Sequence, residues 1–155
     1  MLILAVDPGK TTGWAFKNTA EFSVPYTLLE GELPIQTGEY EWYEFLQRYE
    51  SWIRAGHIDV TVCESFIITR ETLKKTRQNW SLEAIGAMRY LSMERGKEFV
   101  LQSPGEAKGF ATPDKLKKLG WWPAGEDHAQ DAARHLLTYV ASNSEILGFD
   151  LSQIL

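Results

Sequence analysis

Leu2 to Val6 is an unbroken apolar run, closed by Asp7-Pro8-Gly9. Continuous apolarity predicts a strand buried on both faces, and the Pro-Gly pair ends it in a turn. Gly13 to Lys17 predicts a returning strand. The Val, Tyr, Thr and Leu residues between Val24 and Leu33 predict a third. Short turns between the three make an antiparallel meander. The period then changes. Trp42, Phe45, Leu46, Tyr49, Trp52 and Ile53 recur at helical spacing, with Gly56 as the stop. Asp59 to Cys63 is another buried-type strand, closed by Glu64. A helical pattern runs from Glu71 to Glu94, interrupted near Asn79-Trp80-Ser81, where Ser81 can cap a new helix. Phe99 to Leu101 predicts a short strand and Pro113 to Lys118 a small helix. Glu126 to Val140 predicts a final helix that buries Ala129, Ala132, Ala133, Leu136, Leu137 and Val140. A helical crossover between the later strands makes them parallel. The expected fold is α/β: a mixed five-stranded sheet, three strands antiparallel and the rest parallel, flanked by helices.

The length of 155 residues suits one domain, residues 1–155. With 44% hydrophobic and 24% charged residues, the composition excludes a disordered, collagenous or coiled-coil chain. The single Cys63 excludes an intramolecular disulfide framework and a multi-cysteine zinc site, and it fits a reducing compartment. No apolar run approaches the roughly 20 residues that span a bilayer. The opening residues lack the basic start of a signal peptide, so the expected location is the cytoplasm, with no membrane partner. The net charge of −5 argues against nucleic acid until its distribution is considered. Residues 21–50 hold seven Glu and one Arg, whereas residues 70–118 hold eleven Lys or Arg against six acids. An acidic protein can thus carry a basic face, and the face decides binding.

Two apolar strands end in carboxylates, Asp7 and Glu64. Either alone is explained by turn capping or solvent. On neighbouring strands, however, paired carboxylates repel and raise each other's pKa unless a cation lies between them. The last helix adds Asp127, His128 and Asp131. Acids near a helix N-terminus compensate its dipole, which accounts for Glu126 and Asp127 but not for His128. His128 and Asp131 are three apart and share a face, and the alanines flanking Asp131 let the backbone approach a sheet closely. Three carboxylates and one imidazole suit Mg²⁺ or Mn²⁺ rather than zinc. Two such ions can activate a water and stabilise a leaving oxygen in phosphodiester hydrolysis. Gly9-Lys10-Thr11 is not a phosphate loop, because Leu4 stands where such a loop needs its first Gly. Ser65 and His128 lack a nucleophile-elbow context. His57 and His135 are expected at the surface or in packing.

The stretch from Ile3 to Ala15, an apolar strand with Asp7-Pro8-Gly9 and then Gly13 opening a second strand, resembles the start of RuvC-type Holliday-junction resolvases of the RNase H-like superfamily. Cys63-Glu64-Ser65-Phe66 resembles their second acidic motif. Gln102 to Lys108 resembles their segment of a strand, a Pro and a Lys. Asp127 to Ala132 resembles their terminal motif, in which Asp or His stands three residues before the final Asp. The resemblance implies an RNase H-like nuclease domain with Asp7, Glu64, His128 and Asp131 as catalytic and metal-binding residues, and Mg²⁺ or Mn²⁺, two ions per site. It further implies branched DNA as substrate and a homodimer, with Ile85, Met88, Leu91 and Ser92 of the helix from Ser81 to Arg95 serving either the interface or the core. Lys108 and Lys115 would meet phosphates, Phe66 would stack on junction bases, and Arg70, Lys74 and Lys75 would extend the DNA-binding face. The six tryptophans and the divergent linking segments suggest a phage-encoded member. Competing readings are a related nuclease acting on structured RNA and a catalytically inactive nucleic-acid-binding module. A lobe of the sugar-kinase and actin type would need a second lobe that 155 residues cannot hold.

Overall fold

The computed structural model describes residues 1–20, 35–68, 79–150 and 152. The strands are β1 (Leu2–Asp7), β2 (Thr11–Asn18), β3 (Gln36–Glu41), β4 (Val60–Glu64) and β5 (Glu98–Gln102). The helices are α1 (Trp42–Arg54), α2 (Trp80–Glu94), α3 (Pro104–Phe110), α4 (Pro113–Lys118), α5 (Asp127–Ser142) and the short α6 (Ser144–Leu147). They form one five-stranded sheet in the order β3-β2-β1-β4-β5. The β1–β2 and β2–β3 pairs are antiparallel, and the β1–β4 and β4–β5 pairs are parallel. This is the mixed sheet that the hydrophobic pattern predicts.

The strand pleat divides the core in two. Ile3, Ala5, Ala15, Val60 and Val62 pack with Ala132, Ala133, Leu136 and Trp121 on one face, beneath α5. Leu4, Val6 and Cys63 pack on the other with Phe45, Tyr49 and Ile53 of α1 and Ala84, Ile85 and Met88 of α2. Both faces of β1 and β4 are therefore covered, which is why β1 reads as a continuous apolar run and β4 as a mostly β-branched one, its polar Thr61 bonded to Tyr49. On the α1–α2 side the buried Tyr49 hydroxyl meets Thr61 Oγ1 at 2.8 Å and Ser92 Oγ at 2.7 Å, so these three hydroxyls are paired, whereas the buried Trp14 Nε1 at the edge of the same layer has no hydrogen-bond partner among the described residues.

Several expectations are corrected. The third strand is Gln36–Glu41, and the stretch from Val24 to Leu33 lies outside the described residues. Gln36-Thr37-Gly38-Glu39-Tyr40-Glu41 reads as too polar for a strand because it is the sheet edge, solvated where the inner strands are covered. The helical pattern before Asn79 also lies outside the described residues. Asn79, not Ser81, caps α2, its side chain accepting from Leu82 N at 3.4 Å. Ser81 Oγ instead donates to Pro8 O at 2.7 Å and ties α2 to the turn after β1. Ile85, Met88 and Ser92 belong to the core, and Leu91 packs against it. Helix α3 goes unrecognised in the apolar pattern because it buries little beyond Ala107. Its signal is local: Ser103 and Glu106 form a capping box, with Pro104 at the first helical position. No helix among the described residues is long and apolar enough to cross a membrane.

Candidate active site

The acids are placed by strand parity and register. Asp7 is in phase with Ile3 and Ala5, and Glu64 with Val60 and Val62, so both point to the α5 face. Gly13 pairs with Asp7 on one side and with Glu39 on the other. Val6 pairs with Cys63, so Asp7 and Glu64 come next to each other at the strand ends. Glu64 in turn pairs with Gln102. A single row thus crosses all five strands: Glu39, Gly13, Asp7, Glu64, Gln102.

Helix α5 lies along this row and presents His128, Asp131 and His135 from one stripe, three and four residues apart. Its approach is close because both surfaces are small. Ala132 and Ala133 pack with Ala5 and Ala15, and a side chain at Gly13 would collide with the His128 carbonyl and the Ala129 backbone nitrogen. Helix α5 has no side-chain cap of its own from Glu126. Glu39 supplies one from the edge strand, its Oε1 accepting from His128 N at 2.8 Å and Ala129 N at 3.2 Å. A carboxylate there answers both the unpaired N–H groups and the helix dipole.

Each of the three acids has its own basic or imidazole partner. His128 Nδ1 lies 2.8 Å from Asp7 Oδ2. His135 Nε2 lies 2.8 Å from Glu64 Oε2. Asp131 takes Lys108 Nζ at 3.0 Å on one oxygen and Arg134 Nε at 3.2 Å on the other. The Arg134 Nε contact is an ion pair without hydrogen-bond geometry, while Arg134 Nη1 donates to Ala111 O at 2.8 Å and the guanidinium lies over the Trp122 ring, so α5 is tied to the end of α3. Burial pushes the Asp7 carboxyl above its usual range; the His128 bond opposes this, while the fields of Glu64 and Asp131 add to it. For His128, burial works against the charged ring, but the bond to Asp7 and the fields of Asp7, Glu39 and Asp131 outweigh it, and its pKa is raised. The Asp131 hydrogen bond, against a smaller cost of burial, raises the Lys108 pKa, helped by the fields of Asp131, Glu64 and Asp7.

The four residues expected to bind metal are therefore brought to one place, although among the described residues no three acids, histidines or cysteines are gathered around one point as ion ligands. The donor chemistry fits a hard divalent cation nonetheless. Three carboxylates crowd together and burial disfavours the charge of one, the situation a cation relieves. The groups now bonded to Asp7 and Asp131 include His128 and Lys108, whose side chains are 48% and 54% exposed and so have room to turn away.

Other expected site residues are placed differently. Phe66 is partly buried against the α1–α2 core rather than held out for stacking. Lys115 Nζ lies 4.3 Å from the centre of the Phe110 ring. Arg70, Lys74 and Lys75 lie outside the described residues. Asp127 is exposed at the start of α5, and His57 is exposed as expected. His135 is buried as a packing residue would be, but it is bonded to Glu64, which the sequence reading does not foresee. Its spacing, one turn beyond Asp131, was the available signal. Glu39 and Arg134 are likewise unforeseen, because their roles depend on pairings between distant segments.

No protein-family model matches the chain, and no curated protein matches its sequence. Solved structures do match. RuvC from Thermus thermophilus in complex with Holliday junction substrate superposes with a TM-score of 0.62 at 17% identity, over 94% of this chain and 96% of that one. A second Thermus thermophilus RuvC structure gives 0.62 at 16% identity over the same shares. The Fowlpox virus resolvase with Holliday junction DNA superposes more loosely, with a TM-score of 0.49 at 13% identity over 95% of this chain and 99% of that one. The sheet order, the strand directions and the helix laid across the strand ends are accordingly those of the RNase H-like fold, in the form seen in RuvC.

Proposed function

We propose that this chain is a metal-dependent endonuclease that hydrolyses phosphodiester bonds in branched DNA, four-way junctions above all, and that it works as a homodimer. The observation that carries the reading is the row of Asp7 and Glu64 facing Asp131 and His128 of α5. A cluster of acids at the ends of buried strands costs stability, so packing alone does not account for it. The shared fold supports the choice of substrate, since the RuvC structure of that fold holds a Holliday junction substrate.

Asp7, Glu64, Asp131 and His128 would hold Mg²⁺ or Mn²⁺, two ions per site. When bound, these supply charge neutralisation at the phosphate and a water nucleophile at neutral pH. The remaining work belongs to the chain. Asp7 must give up His128 and stay ionised. His128 must be neutral to offer a ring nitrogen. Lys108, once released from Asp131, is a mobile cation for a backbone phosphate, where a Lys acts as a point charge. Glu39 and Gly13 keep the first turn of α5 at its distance from Asp7, so the acids keep their spacing.

The test is cleavage of matched linear, flap, fork and four-way DNA and an RNA hairpin, with Mn²⁺ or Mg²⁺ supplied. The reading expects metal-dependent, paired cuts in the four-way substrate and little cutting of linear duplex. Cleavage of the RNA hairpin alone would move the assignment to structured RNA. Binding without any cleavage would leave an inactive binding module.

A further inference from the structure

His135 is the one histidine of α5 that the proposed chemistry does not use. It is 1% exposed, among Ala132, Leu136 and the strand ends beneath α5. A buried imidazole costs free energy unless its nitrogens are bonded, and here both are. Nε2 lies 2.8 Å from Glu64 Oε2, and Nδ1 lies 3.0 Å from the Gln102 side-chain amide. Glu64 and Gln102 are register partners on β4 and β5, so the ring spans two adjacent members of the polar row.

The proton positions follow from chemistry. An ionised carboxylate only accepts, so when Glu64 is ionised, as cation binding requires, an N–H stands on Nε2 whichever form the ring takes. If the ring is neutral, Nδ1 carries the lone pair and Gln102 turns its NH₂ toward it. If the ring is charged, Nδ1–H donates to Gln102 Oε1. Either way one oxygen of Glu64 is fixed by a donor that is itself held from behind, and among the described residues Oε1 accepts no hydrogen bond. His128 and Lys108 differ from this ring in that they are about half exposed.

We propose that His135 is a positioning residue: with Gln102 behind it, it locks the Glu64 carboxylate in the orientation that receives a divalent cation. This rests on the metal-dependent reading given above. Partners of this kind, bonded to metal ligands rather than to the metal, typically alter metal affinity or activity about 10–100-fold when removed.

The probe is Mn²⁺ alone, titrated into the full chain without DNA and followed by calorimetry or electron paramagnetic resonance. His135→Phe keeps the ring's bulk and removes both nitrogens. It should weaken Mn²⁺ binding about 10–100-fold. His135→Gln, whose amide nitrogen reaches nearly as far as Nε2, should recover most of that loss. Glu64→Gln sets the reference. If Glu64→Gln binds Mn²⁺ like the wild type, the metal reading of the site fails. If Glu64→Gln weakens binding but a folded His135→Phe does not, the positioning role is overturned and the metal reading stands. Should His135→Phe not fold, nitrogen-detected NMR of the wild-type ring decides. A protonated Nε2 whose shift moves in Glu64→Gln supports the proposal, and an unprotonated Nε2 overturns it.

Discussion

Asp7 shows what the site costs at the scale of one residue. Its pKa is raised chiefly by burial, and the fields of Glu64 and Asp131 contribute. An acid with a folded pKa above 3.8 is disfavoured as an anion by the fold. Its contribution to stability is complete below pH 3.8 and is lost as pH rises through the raised value. Asp7→Asn should therefore raise the metal-free Tm at neutral pH and flatten the stability profile over that window, while cleavage falls by orders of magnitude. Thermal scans beside a cleavage assay check both, and near-wild-type turnover would end the nuclease assignment. His128 has the opposite chemistry. Its folded pKa is raised, so its pairing with Asp7 stabilises the protein fully below pH 6.5, down to the pH at which Asp7 itself protonates, and less as pH rises through the higher value. Metal ligation needs the neutral ring, so the cleavage rate should show an acid limb as His128 protonates. His128→Asp should stay active, shift preference from Mn²⁺ toward Mg²⁺ and flatten that limb, while His128→Ala should be far slower. A wild-type rate and pH profile in His128→Ala would make His128 a bystander.

At the level of elements, the central feature is the contact of α5 with β2. The helix is close because Gly13 has no side chain to strike the His128 backbone. Adding one methyl there moves backbone rather than a flexible side-chain tip. Gly13→Ala should thus cost about 1–3 kcal/mol or more, and should lower cleavage out of proportion by shifting His128 and Asp131 from Asp7. Gly109→Ala in α3 meets nothing within 4 Å, so it should be neutral or stabilising by up to about 1 kcal/mol. Urea unfolding of the two variants makes the comparison; equal stabilities would show that the helix and sheet tolerate a wider gap. The opening turn of α5 shows the same dependence on distant partners, since its cap comes from Glu39 on the opposite edge of the row.

For the whole molecule the open question is assembly. The proposed homodimer needs a surface, and Ile85, Met88 and Ser92 of α2 do not offer one because they are core. The exposed side of the same helix presents Leu82, Tyr90 and Met93 at 41%, 68% and 71% exposure, three large apolar side chains on one element. Single exposed apolar residues need no explanation, but a group of them marks a contact surface. Sedimentation at micromolar concentration should give about twice the 17.7 kDa chain mass. A Tyr90→Glu, Met93→Glu double variant should sediment as a monomer and lose paired cutting. A wild-type monomer that still makes paired cuts would require a different account of symmetry.

The sequence alone determined what short-range physics determines. An unbroken apolar run marked β1 and a buried-type run marked β4 because both are covered on two faces, and helical spacing marked α1 and α5 because each has one buried side. Acids closing two buried strands, and His128 with Asp131 at a separation of three, pointed to one chemistry because a strand end and a helix stripe fix where side chains face. The tertiary structure decided what depends on register. An edge strand carries little apolar signal, so β3 at Gln36–Glu41 is not legible in the hydrophobic pattern. A histidine on a helix looks like packing until β4 and β5 bring Glu64 and Gln102 to its two nitrogens. A glutamate in a polar strand looks solvated until β3 pairs it opposite Gly13 and beneath the start of α5. These roles belong to pairs of residues 33 to 90 positions apart, and no local pattern records them.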